Sequence, residues 1–291
     1  MADSLIDLIK VLRDRTGAGL MDCKGALLAN DCDLDKASDW LREKGLAKAA
    51  KKADRIAAEG LALAVVCPKC GKTVILEVNC ETDFVSKGDQ FHAFVESIAQ
   101  VILKNEPADV EAAKALTSDL FADATVKMGE KFDLRRFTII AKEGNNVIGS
   151  YVHMGGKIAV AVNLTGGDDA FAKQIAMHIA ANNPQYNTIN DVPADVKEHE
   201  LSVQREAAKN DEKLANKPAA VLDKILEGKI NKYFAELTLE AQPFLMDDSK
   251  TVGQILKENG VQVLSFVRYQ VGEGIEKRKD DFAAEVMSQA K

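Results

Sequence analysis

Aromatic side chains make up only 5% of the 291 residues, with a single tryptophan. Any core must therefore be built mainly from Ala, Val, Leu and Ile. No stretch approaches the roughly 18 consecutive apolar residues of a membrane-crossing helix. The N-terminal Met1-Ala2-Asp3-Ser4-Leu5-Ile6-Asp7 carries acid where a secretory leader carries base. Both absences point to a cytoplasmic chain with no membrane partner. Excess base is missing as well: 38 Lys and Arg stand against 45 Asp and Glu, a formal net charge of -7. That argues against a protein whose main task is to grip nucleic-acid phosphates. The five cysteines, Cys23, Cys32, Cys67, Cys70 and Cys80, are odd in number and thinly spread. They suit reduced thiols better than a disulfide framework.

Several chemistries lack their signatures. Gly17 and Gly19 fall between predicted helices with no Gly-Lys-Ser/Thr after them, and Gly155-Gly156-Lys157 lacks the phosphate-loop spacing. Direct nucleotide binding is not expected. No nucleophile elbow or oxyanion loop accompanies His92, His153, His178 or His199. The many Asp and Glu read as solvated faces. Cys67-Pro68-Lys69-Cys70-Gly71 is half of a zinc-knuckle pattern, but a structural zinc site needs four ligands and no second pair is present. The segment reads as a hairpin turn, with no metal and no cofactor.

What is present is an alternation of helical and strand periods. Leu5, Ile6, Leu8, Ile9 and Leu12 recur at helical spacing behind Ser4, a candidate cap. Thr16-Gly17-Ala18-Gly19 breaks that helix, and two further apolar stripes complete a three-helix unit. Basic residues from Lys44 to Arg55 read as a solvated helical linker. Leu61 to Val66 and Val74 to Asn79 read as a strand hairpin, followed by a loop from Cys80 to Gly88. Asp89 is the expected cap of the next helix. The order returns later: strands at Ile148–His153 and Ile158–Leu164, then a helix after Asp168-Asp169, with Val78-Asn79 answering Val162-Asn163. Two related α+β halves follow, each a small antiparallel sheet covered by helices. Residues 186–239 are charged, with sparse apolar positions, and suit two antiparallel helices. Val261 to Val271 is strand-like, and Asp280 to Val286 is a short amphipathic helix.

Thr82-Asp83-Phe84-Val85 stands out. From pattern alone, Phe84 folds back onto its own core; the functional alternative is an exposed wedge for a partner.

Longer segments of this sequence resemble the elongation factor Ts family. They are Leu12 to Lys24, Ala50 to Gly60, Glu77 to Val85, Met177 to Ala181, Gln242-Pro243-Phe244 and Val271 to Lys277, in the family's order. Leu20 stands where the family often has Met, and the Cys-Pro-Lys-Cys hairpin looks peculiar to this branch. The resemblance implies an α+β protein with an N-terminal ubiquitin-associated-like bundle and linker (1–54). The core is expected at 55–140, 141–185 and 240–271, with a protruding helical hairpin at 186–239 and a C-terminal helical module at 272–291. It implies a guanine-nucleotide exchange factor, not an enzyme, whose partner is the GTPase elongation factor Tu. Self-association would use the helical hairpin. Thr82, Asp83, Phe84 and Val85 would enter the GTPase near its magnesium site. Lys24, Met128, Gly129, His153, Leu245 and Met246 would be further contacts.

Overall fold

A computed structural model describes residues 4–68, 71–211 and 218–276. The predicted helix at 280–286 and Cys70 lie outside the described residues. The chain folds as two compact units. The first holds Val152–Ala159 and the described parts of Met1–Ala141 and Tyr269–Lys291; the second holds Lys142–Tyr151 and Val160–Arg268.

The first unit opens with α1 (Leu5–Thr16), α2 (Leu20–Ala29) and α3 (Leu34–Lys51). Ser4 caps α1, its side chain accepting the Asp7 N–H at 3.3 Å, and left-handed Gly17 ends it. Ile9, Leu12, Cys23, Ala26, Leu27, Ala37 and Leu41 form the bundle core. The basic stretch from Lys44 is not a free linker. It is largely the last two turns of α3, which packs against α6 (Val110–Met128). Gly45 permits that crossing: a Cβ there would lie 2.6 Å from the Val126 side chain and 2.8 Å from the Ala122 carbonyl. The stretch is helical and mostly exposed, and a glycine contact such as that of Gly45 leaves no apolar stripe to see in the sequence.

β1 (Glu59–Cys67) and β2 (Lys72–Cys80) pair antiparallel, from Glu59 opposite Cys80 to Cys67 opposite Lys72. β3 (Phe132–Ala141) completes the order β1-β2-β3, with a bulge opposite Glu77 and Val78. α5 (Asp89–Asn105) covers the sheet with Phe91, Phe94, Val95, Ile98 and Ile102, packed on Leu61, Val74, Leu76, Val78 and Leu134. Full burial of each such large side chain contributes roughly 1.5–3 kcal/mol. Gly88, not Asp89, is the N-cap of α5, and Asp89 is its first residue. The acid there still favours the positive end of the helix.

A second sheet has the order β4-β5-β8, from β4 (Val147–His153), β5 (Ile158–Leu164) and β8 (Val263–Gln270). α7 (Asp169–Asn182) follows β5 and is capped by Asp168. Gly149 lets α7 approach: a Cβ would stand 2.4 Å from the Ala172 backbone. Asn79 and Asn163, penultimate in β2 and β5, are both buried. α8 (Ala194–Lys209) and α9 (Ala219–Leu237) pack on each other around Ala208 and Leu226, with Leu222 and Ile225 beside them. β6 (Pro243–Phe244), β7 (Asp247–Thr251) and α10 (Val252–Glu258) then lead to β8. The fold is α+β, with small sheets and an N-terminal helical bundle.

The Asp and Glu side chains are not all solvated. Glu77, on β2, is fully buried. Its carboxylate accepts from Arg135 at 3.1 Å, Arg136 at 2.6 Å, Asn79 at 3.2 Å and the Gly272 N–H at 2.8 Å. It joins β2, β3 and the segment after β8.

Candidate functional site: the Phe84 turn and its neighbours

The expected loop after β2 is a single helical turn, α4 (Asp83–Ser86). Thr82 begins it with extended backbone and caps it, its Oγ1 accepting the Val85 N–H at 3.4 Å. The same hydroxyl donates to Glu130 Oε1 at 2.6 Å. Glu130 Oε2 accepts the N–H groups of Glu81 and Thr82 at 3.0 and 3.1 Å. Glu81 in turn accepts from the Lys131 N–H at 2.7 Å and from Arg55 at 3.0 Å. From below, the Cys80 thiol donates to the Thr82 carbonyl at 3.2 Å. Burial pushes that thiol up to about 12, so it keeps its proton and remains a donor.

Consecutive residues of a helical turn point in different directions. Val85 packs onto the first core, and Phe84 beside it is 88% exposed. The reading in which Phe84 folds back onto its own core is thereby overturned. Asp83 pairs with Lys87 at 2.6 Å, and that ammonium holds its carboxyl below the usual carboxylate range. An apolar ring and an acid therefore stand together on a turn whose backbone is fixed from two sides. Sequence reasoning missed Glu130, which organises the turn. Its only signal was an acid directly after the glycine that ends α6.

The remaining expected residues occupy distinct places. Met128 is half-buried against the first core, and Gly129 is the exposed left-handed cap of α6. On α2, Lys24 is exposed between Leu20, Met21 and Leu28, which are exposed too. That spacing makes one helical face. His153 is exposed where β4 turns toward β5. Leu245 and Met246, in the second unit, are exposed between β6 and β7.

The Leu245 turn has a buried support. His178 on α7 is fully buried, and its Nδ1 accepts the Leu245 N–H at 3.2 Å. Its Nε2 then carries the proton and donates to Gln242 Oε1 at 2.9 Å. Phe244 lies against the ring, with centroids 5.9 Å apart. Burial lowers the His178 pKa from 6.5, opposed by the Gln242 hydrogen bond. Between that ordinary value and the lower folded one, the unfolded chain binds more protons than the folded chain. Stability is therefore full above about pH 6.5 and falls as pH drops through this window. A proton on Nδ1 would face the Leu245 N–H, donor against donor. Thermal melting from about pH 7.5 down to pH 5 should show this loss. His178→Asn, which cannot titrate there, should have a lower but flatter profile; an equally steep one would assign the slope to other groups.

Among the described residues, no group of three or more His, Cys, Asp or Glu is placed to hold a metal ion. No described helix is long and apolar enough to cross a membrane.

The family described as Elongation factor TS matches this chain over residues 81–273. Elongation factor Ts of Pediococcus pentosaceus is 47% identical, over 98% of each chain. Elongation factor Ts of Limosilactobacillus reuteri is 44% identical, over 99% of each. The chain belongs to the elongation factor Ts family. The role of that family, guanine-nucleotide exchange during translation elongation, is the role of this chain. An elongation factor Ts is an exchange factor rather than a catalyst of bond chemistry, and its partner is the GTPase elongation factor Tu. The Phe84 turn and the His178 contact both lie within the matched span.

Proposed function

We propose that the chain binds elongation factor Tu·GDP in the cytoplasm and promotes GDP release by inserting Phe84 beside the magnesium and phosphate site. The observation that carries this reading is an almost fully exposed phenylalanine on a backbone turn fixed by Glu130 and Glu81. A ring held out in water forgoes burial, and a rigid turn delivers it with little ordering on binding. Asp83 assists at the rim, and Thr82 and Val85 hold the wedge in place. Lys24, on the apolar face of α2, docks on the GTPase domain. Met128, Gly129, His153, Leu245 and Met246 make further contacts.

The driving force is linkage. GDP is held mainly through its phosphates and magnesium. A protein that prefers the open, magnesium-free GTPase must weaken GDP by the factor by which GDP weakens that protein. Rebinding of GTP and magnesium releases the factor. No covalent step, bound cofactor or nucleotide on this chain is needed. The test is release of labelled GDP from elongation factor Tu with and without the chain. An unchanged rate at saturating protein would overturn the assignment.

We assign these domain limits: bundle and linker at 1–54, core at 55–140, 141–185 and 240–271, helical hairpin at 186–239 and C-terminal module at 272–291. The hairpin serves self-association, because its inner seam is narrow and Val203, Val221 and Tyr233 remain exposed on its two helices. Its base carries buried Phe234 and Thr238, so only the distal part is expendable. Replacing 202–228 with a short Gly-Ser link should leave GDP release unchanged and lower the mass in sedimentation equilibrium from dimer to monomer. Wild-type protein that is already monomeric would remove the dimer.

A further inference from the structure

Among the described residues, five non-glycine positions adopt the left-handed backbone: Asp31, Cys32, Glu106, Met154 and Asn183. Glu106 and Asn183 cap helices, and Asp31 and Cys32 form the turn between α2 and α3. Met154, at φ 51°, is the single large apolar side chain of the five. In this region an L side chain crowds the following carbonyl, and only short polar residues offset that with local hydrogen bonds. Burial offers no offset either, since Met154 is 70% exposed. For the free protein, Met is a poor residue in a turn that Gly or Asn would form readily. A strained, exposed apolar residue held by its surroundings points to function.

The surroundings hold it firmly. The N–H groups of Gly156 and Lys157 both reach the His153 carbonyl, at 3.1 Å each. The Gly156 carbonyl accepts the Ala62 N–H at 2.7 Å, fastening the turn to β1. Gly156 has φ 90°, and a Cβ there would penetrate Leu61. Lys157 pairs with Glu59 at 2.5 Å. Glu59 is the β1 residue opposite Cys80, at the end of β2 from which the Phe84 turn departs. α4 also packs against β1. The Met154 turn and the Phe84 turn are thus both fastened to the Glu59 half of β1.

We propose that Met154 is a further contact residue for the GTPase, a second apolar point that docks beside the Phe84 wedge and sets affinity rather than the maximal rate. The proposal rests on the exchange-factor reading of the Phe84 turn. It makes Met154 the residue of the hairpin that contributes most, ahead of His153. Its thioether is unbranched and polarisable, so it adapts to a surface that moves between closed and open forms.

The test uses the full chain with elongation factor Tu and labelled GDP, and compares Met154→Asn, Met154→Leu and Phe84→Ala. Asparagine favours the left-handed turn and removes the apolar contact; leucine keeps the contact and the strain. Met154→Asn should melt at or above the wild-type temperature, while the concentration for half-maximal GDP release rises roughly fivefold or more. Met154→Leu should stay within about twofold of wild type on that measure. A Met154→Asn protein that exchanges normally while Phe84→Ala fails would overturn the proposal and leave the wedge intact. Melting below wild type, or an equal loss in Met154→Leu, would also overturn it. Normal exchange by Phe84→Ala would instead strike the reading on which the proposal rests.

Discussion

Phe84→Ala is expected to melt within about 2 °C of wild type and to lose roughly 30-fold in stimulated GDP release. The two halves of that expectation have separate origins. The ring is 88% exposed, so truncation removes little buried area and leaves no cavity. Surface changes of that kind usually stay within about 0.5 kcal/mol, whereas emptying a buried aromatic site costs about 3–5 kcal/mol. The turn keeps its shape without the ring, because Thr82, Glu81 and Glu130 fix its backbone and Val85 anchors it. The loss of function follows from the partner's side. A large apolar anchor entering a desolvated pocket commonly contributes 2 kcal/mol or more, which is roughly 30-fold at 25 °C. The loss should fall on the maximal rate at saturating protein, since a wedge acts on the open form after docking. Asp83→Ala should act in the same direction but less, because Asp83 and its partner Lys87 are both exposed at the rim. Normal melting together with normal exchange in Phe84→Ala would end the wedge mechanism.

The physics separates what was legible in the sequence from what was not. The hairpin β1–β2 and the helix α5 were readable because their periods, two and 3.6, are carried by side chains that the core buries on one face. α6 and β3 escaped notice. α6 is rich in Ala and Thr, and β3 alternates weakly, with Arg135 and Arg136 beside Leu134. The exposure of Phe84 could not be derived from its neighbours, since an aromatic in a polar turn is compatible with either direction. What decides it is the capped turn, which commits Val85 inward. Glu130 and His178 were invisible as supports because each acts on a segment far along the chain, 48 and 67 residues away. The same holds for Glu77, one more acid in a rich supply until β3 and the segment after β8 close around it.

Glu77→Ala carries the largest expected effect on stability: a loss of about 3 kcal/mol. The wild-type carboxylate is inaccessible to water and has four donors around it. Taking an ion out of water is unfavourable, and here the two guanidinium groups and the Gly272 N–H offset it. Removing the acid does not return the cluster to a neutral state. It leaves the Gly272 N–H and the Asn79 amide without that acceptor, and two cations close together at the sheet edge. Arg135 and Arg136 are partly exposed, at 26% and 28%, so water recovers some of the loss. For that reason the expected loss sits at the lower end of about 3–5 kcal/mol for a broken buried pair. The melting temperature should fall by roughly 6–12 °C, taking about 2–4 °C per kcal/mol for a large domain. Hydrogen exchange of the Gly272 amide should accelerate, since its acceptor is gone. Glu77→Gln should fall between, because an amide oxygen can still take the Gly272 N–H while its NH₂ opposes the arginines. GDP release measured well below the melting temperature should change far less than in Phe84→Ala, because the wedge turn is held by Glu130 rather than by Glu77. A Glu77→Ala protein that melts with wild type would show that the arginine pair contributes no net stability. One that melts normally but fails in exchange would move Glu77 from the scaffold into the site.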